Sequence, residues 1–90
     1  SIADEFIVID VRTPEEFKEG HIEESSNIEW QIISSIVDEV KKDQKIYLYC
    51  RSGRRSQNAT DILIDLGYED VTNLGGLKDA DIFLERNITE

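Results

Sequence analysis

An α/β fold, with a mainly parallel central sheet flanked by helices, is what the order of patterns along this chain predicts. Three observations carry the expectation. The run Phe6-Ile7-Val8-Ile9-Asp10-Val11 is rich in β-branched residues and almost continuously apolar, as in a strand buried on both faces. A second, apolar run, Lys45-Ile46-Tyr47-Leu48-Tyr49, lies mid-chain and suits the centre of the sheet. Between and after them, apolar residues recur at helical spacing, so strands alternate with helices. Ninety residues fill one domain, 1–90, with one modest core. A total stability of about 5 to 13 kcal/mol is the usual expectation at that size.

The elements follow in order. After the first strand, Thr13-Pro14-Glu15-Glu16 supplies an N-cap, a proline at the first helical position and a glutamate three residues past the cap. A short helix should run to about Glu19 and stop at Gly20. Ile28 marks a short second strand, and Ile32, Ile33, Ile36, Val37 and Val40 predict a helix that Lys41 and Lys42 close. The strand Lys45 to Tyr49 leads into a loop at Cys50. A helix from about Arg55 to Leu66 then ends at Gly67. Val71 to Leu74 reads as a further strand, Gly75-Gly76 as a break, and Leu77, Ala80, Ile82, Phe83 and Leu84 as a terminal helix or helical turn. No internal repeat, low-complexity tract or linker interrupts this order.

Composition narrows the function classes. A formal net charge of -10 and a pI of about 4.4 argue against nucleic acid or an anionic membrane as the main partner, because phosphate binding needs an extended basic surface. No apolar run approaches the roughly 20 residues of a spanning helix. A monomer is the default for so small and acidic a domain. The chain contains no methionine, so Ser1 is not a retained translational start, and an upstream segment such as a signal peptide or a tag is expected to have been removed. One cysteine forms no intrachain disulfide and leaves the redox compartment open.

That cysteine is the chemical centre of the sequence. Cys50 sits where a strand ends and opens Cys50-Arg51-Ser52-Gly53-Arg54-Arg55-Ser56, so three of the ten basic residues fall within five positions of it. In parallel sheets ligands bind beyond the carboxyl ends of the strands. An unassisted thiol has a pKa of about 8.5 and is only slightly ionised at neutral pH. A cation about 4 Å away is worth up to about 4 kcal/mol at an effective dielectric of about 20, and a helix end adds about 0.3 to 1 kcal/mol. Lowering the pKa by about two units takes only about 2.7 kcal/mol. Gly53 lets the backbone turn so that successive N–H groups converge on the sulfur as an anion-binding nest. Burial as a small inert hydrophobe is the alternative for a lone cysteine, but three guanidinium groups would then lack solvent or anions.

Four segments in this order resemble the rhodanese family of sulfurtransferases, in particular its small single-domain bacterial members of the phage-shock type. They are Ile9-Asp10-Val11-Arg12-Thr13-Pro14-Glu15-Glu16-Phe17, then Gly20-His21-Ile22 with Asn27-Ile28, then Tyr49 through Ser56, and finally Leu66-Gly67-Tyr68 with Asn73-Leu74-Gly75-Gly76-Leu77. The resemblance implies a rhodanese-like three-layer sandwich and a thiosulfate sulfurtransferase. Cys50 would carry sulfur as a persulfide from thiosulfate to cyanide or to a thiol, protein thiols included. Arg51, Ser52, Gly53, Arg54 and Arg55 would bind the anionic donor, with Asp10 and Arg12 in support and no metal or organic cofactor. It also suggests a periplasmic location, with the cytoplasm as the alternative.

Loop length bears on the chemistry that the resemblance implies. Phosphatases of similar fold place an arginine after five residues, whereas here Arg55 follows Cys50 after four and Ser56 takes the later position. Arg51 directly after the cysteine leans towards thiosulfate rather than mercaptopyruvate. The chain departs from the family at Glu23-Glu24-Ser25, where a proline-glycine-alanine turn is usual. Trp30 reads as a core or rim aromatic, His21 as a structural hydrogen-bonding residue, and the carboxylates Glu15, Glu16, Asp38 and Glu39 as solvated helix surface. Two further readings stay open: a sulfur-relay or binding module serving one protein partner, and an arsenate reductase or phosphatase.

Overall fold

A computed structural model of the chain describes residues 6–90. Four strands, β1 (Phe6–Asp10), β3 (Ser26–Asn27), β4 (Lys45–Cys50) and β5 (Val71–Gly76), form a wholly parallel sheet in the order β3-β1-β4-β5. Strand β4 is central, as its apolar run predicts. Alternate residues of the strands serve opposite faces. Ile9, Ile46, Leu48 and Cys50 meet Ala59 and Leu63 of α2 (Arg54–Asp65) and Ile33 and Ile36 on one side. Val8 and Tyr49 meet Ile22 and Ala80 of α3 (Leu77–Leu84) on the other. Helices on both faces of a parallel sheet give the layered α/β architecture expected of the sequence.

Helix α1 (Pro14–Glu19) has the predicted start. Thr13 Oγ1 accepts from the Glu16 amide at 3.2 Å, and Glu16 Oε1 accepts from the Thr13 amide at 3.0 Å, closing a capping box. The short strand expected at Ile28 lies one step earlier, at Ser26–Asn27, while the Ile28 amide still donates to Asp10 O at 3.0 Å. Asn27 Nδ2 donates to the carbonyl oxygens of Asp10 and Arg12, so a side-chain amide extends the pairing beyond the end of β1.

Three departures have physical causes. The helix expected over Ile32 to Val40 is a 3-10 segment, Trp30–Asp38, broken at Ile32 (φ -116°, ψ 18°). Its buried residues Ile33 and Ile36 are three apart, the repeat of a 3-10 turn, and its β-branched run has low α-helical preference. Gly75-Gly76 continues β5 instead of breaking the chain. The third departure is β6 (Ile88–Thr89), which pairs antiparallel with β2 (His21–Ile22). Two residues matched to a partner so far away in sequence leave no local pattern.

The turn after Ile22 shows what the unusual Glu23-Glu24-Ser25 costs. Glu24 adopts φ +65°, a left-handed conformation that suits glycine. Arg86 steadies the turn by donating to Glu23 O at 3.2 Å and lying 3.7 Å from the Glu24 carboxylate. Replacing Glu24 by glycine relieves about 1 kcal/mol of strain and returns about half of that as chain entropy. Glu24→Gly is therefore expected to raise the melting temperature by about 3 °C. A fall in a thermal melt would show that the Arg86 pair outweighs the strain.

Candidate active site

Strand β4 delivers Cys50 to the carboxyl edge of the sheet, where Arg51, Ser52 and Gly53 turn the chain into α2. Gly53, at φ +99°, caps that helix in the left-handed region, and a side chain there would begin 3.2 Å from Gly75 Cα. A side chain at Gly76 would begin 2.5 Å from Arg51 O. The loop thus rests directly on the backbone of β5, with Cys50 and Gly76 opposite one another in the sheet. This close approach is why both glycines are needed.

Inside the loop, the Gly53 amide donates to Cys50 Sγ at 2.9 Å, and Ser56 Oγ lies 3.4 Å from the sulfur. Burial pushes the thiol pKa up. The Ser56 hydroxyl and the amides of Ser56, Gly53 and Ser52 more than offset it, so the net shift is down. The sulfur therefore sits in a nest of N–H groups at a helix N-terminus, which stabilises a thiolate.

The arginines play different parts. Arg55 donates to both carboxylate oxygens of Glu16, at 2.9 and 3.0 Å, while its charge also acts on Cys50. Arg51 lies 3.9 Å from Glu16 with its side chain 78% exposed, and Arg54 is exposed. The direct contacts to sulfur are thus amides and a hydroxyl. Arg51 and Arg54 are both exposed to solvent.

Glu16 is no solvated surface carboxylate, contrary to the reading from sequence. The Arg55 hydrogen bonds, joined by that from the Thr13 amide, overcome burial and lower its pKa from 4.5 to about 2. Between these values the unfolded chain binds the proton and the folded chain does not, so Glu16's contribution is full above about pH 4.5 and is lost as pH falls towards 2. A melting series across that window is expected to be less steep for Glu16→Gln than for the parent. Equal slopes would remove Glu16 from the acid response.

Asp10 and Arg12 form a buried pair below this site. The Asp10 carboxylate accepts from the Arg12 amide at 2.8 Å, from Nε at 3.0 and 3.1 Å and from Nη2 at 2.7 Å. Nη2 also donates to Gly20 O at 2.6 Å, joining the end of β1 to the end of α1. The Arg12 guanidinium lies over the Tyr49 ring at 5.7 Å. A cavity of about 330 Å³ opens between Arg12, Glu16, Glu19, Arg51 and Leu77, and meets the Cys50 loop only at Arg51. His21 Nδ1, which must carry the proton, donates to Phe17 O at 2.7 Å, and its ring stacks on Phe17 at 3.6 Å. That placement is structural. Trp30 packs half-buried against the core.

Ser56 and Asn73 complete the loop, and sequence reasoning gave neither a role. Asn73 Nδ2 donates to Gly53 O at 3.0 Å and its Oδ1 accepts from Ser56 Oγ at 2.6 Å, bracing the loop from β5. The only signal was the presence of both residues in the quoted motifs. Among the described residues, no cluster of three or more His, Cys, Asp or Glu side chains could hold a metal ion.

The model of the Rhodanese-like domain matches residues 2–80. The chain belongs to the rhodanese family. This rhodanese is 38% identical over 76 residues to the thiosulfate sulfurtransferase PspE of Escherichia coli strain K12, a match spanning 79% of this chain and 70% of that protein. It is 40% identical over 83 residues to a putative mitochondrial thiosulfate sulfurtransferase of Schizosaccharomyces pombe, covering 78% of this chain and 58% of that longer protein. A solved Escherichia coli rhodanese with anions superposes with a TM-score of 0.76 at 39% identity, covering 81% of this chain and 88% of that one.

Proposed function

We propose that this rhodanese is a thiosulfate sulfurtransferase working through a persulfide on Cys50. The observation that carries the reading is a thiol of lowered pKa held by the Gly53 amide and the Ser56 hydroxyl in a loop ringed by arginines. The names of the relatives support it.

The Cys50 thiolate attacks the outer sulfur of thiosulfate. The sulfur–sulfur bond of the donor breaks, and sulfite leaves with the electron pair. The exposed cations Arg51 and Arg54 gather the dianion and stabilise charge on the departing sulfite, while the loop amides receive the terminal sulfur anion. Cyanide or a thiolate then attacks that outer sulfur, and Cys50 leaves as the thiolate that the amides already favour. The same cradle serves the nucleophile of the first step and the leaving group of the second.

Intact mass before and after thiosulfate tests the proposal. A gain of about 32 Da, removed by a cyanide or thiol chase, is expected for a sulfur held on the cysteine. No adduct on folded, reduced protein would reject thiosulfate as the donor.

A further inference from the structure

Three acceptors compete for one proton inside the loop. Ser56 Oγ lies 2.6 Å from Asn73 Oδ1, 3.2 Å from Gly53 O and 3.4 Å from Cys50 Sγ. A serine hydroxyl has one hydrogen to donate, so one acceptor is served at a time. While the sulfur is an uncharged thiol, the short contact assigns that hydrogen to Asn73. A thiolate, being charged, is the stronger acceptor.

Asn73 is held for this part by bonds on both ends of its amide. Oδ1 also accepts from the Gly75 amide at 2.9 Å, and Nδ2 donates to Gly53 O and to Gln57 Oε1, each at 3.0 Å. The Gly75 N–H can only donate and Gly53 O can only accept, which fixes which end of the carboxamide is oxygen. The side chain thus presents one acceptor to Ser56 in a single orientation.

We propose that Asn73 is a positioning residue: it holds the Ser56 hydroxyl hydrogen while Cys50 is a thiol and yields it when the sulfur becomes an anion. The exchange is a rotation about the Ser56 Cβ–Oγ bond. The hydrogen stays on Oγ, and no covalent bond forms or breaks. In the sulfur-transfer reading, on which this role rests, the donor swings to the sulfur each time Cys50 is freed as a thiolate. It swings back when the thiol reprotonates. Of the charged groups around the loop, Arg55 acts on Cys50 through its charge, Glu16 of α1 holds Arg55 and lies near Arg51, and Arg54 is exposed. Asp10 of β1 is closed by Arg12, and Asp79 of α3 accepts from the Gly76 amide. None of these bonds to Ser56 or Asn73 among the described residues.

The test is the pH profile of Cys50 alkylation by iodoacetamide in Ser56→Ala, Asn73→Ala and the double variant. Ser56→Ala removes a donor to the anion and is expected to move the profile up by about one unit. Asn73→Ala removes the rival acceptor and is expected to move it down, and to do nothing in the Ser56→Ala background. An upward or absent shift in Asn73→Ala, or the same shift in both backgrounds, overturns the proposal, since a merely structural brace would loosen the amides whether or not Ser56 is present. If Asn73→Ala does not fold, Asn73→Asp serves. Its charged acceptor should move the profile up further with Ser56 than with alanine at 56, and equal shifts would overturn the role. Alkylation needs no sulfur donor, so failure of this role and failure of the thiosulfate reading are seen separately.

Discussion

Cys50→Ser is expected to lose sulfur transfer by about three orders of magnitude or more and to keep its fold. The cradle lowers the pKa of a thiol, but a serine hydroxyl starts far too high for amides alone to ionise it. His21 offers no direct help: its ring is fixed against Phe17 by the Nδ1 bond to Phe17 O and by stacking, and among the described residues no hydrogen bond joins it to Cys50, whose partners are the Gly53 amide and the Ser56 hydroxyl. The fold should survive because the Gly53 amide, now 2.9 Å from Sγ, can bond to the smaller oxygen. The loss at the buried site is about 1 kcal/mol. Initial rates with thiosulfate and cyanide, beside a thermal melt, check both halves. Residual turnover within about tenfold of the parent would mean that sulfur is not carried on Cys50.

The largest expected effect on stability lies one layer below. Asp10 is fully buried and Arg12 is 6% exposed, so Arg12→Ala strands a carboxylate with little beyond the Arg12 amide to bond it. Breaking such a pair from one side costs about 3 to 5 kcal/mol, against a total of about 5 to 13 kcal/mol for a domain of this length. The melting temperature is expected to fall by about 20 °C. Asp10→Leu in the same chain should restore much of that loss, because a buried pair replaced by apolar residues is often close to neutral. An Arg12→Ala protein that melts with the parent would show that water reaches Asp10. The stabilising role of this pair would then be small.

The elements that sequence made legible are those with local causes. The capping residues Thr13 and Glu16 start α1, and the largely apolar runs of β1 and β4 form the heart of the sheet. Cys50 and its loop were visible because three arginines beside a cysteine have no ordinary place in a core. What escaped had its cause at a distance. Glu16 looks like a helix-cap carboxylate until folding brings Arg55, 39 positions away, against it. Asn73 looks like a strand residue until β5 lies beside α2. The Gly75-Gly76 pair imitates a chain break because its reasons are a left-handed φ of +97° at Gly75 and the Arg51 carbonyl lying against Gly76. β6 was invisible for want of any local pattern.

That contact also constrains how such a site can diversify. The Arg51 carbonyl oxygen lies only 2.5 Å from the point where a side chain at position 76 would begin, so the end of β5 acts as a mould for the loop. Ser52 and Arg54 face outwards and can be exchanged without disturbing it. A longer loop cannot be reached by insertion alone, because the added residue would displace Gly53 from Gly75 and Arg51 from Gly76. Libraries that vary side chains at 51, 52 and 54 therefore explore donor preference on an intact frame, whereas those that vary loop length must change positions 75 and 76 in the same step.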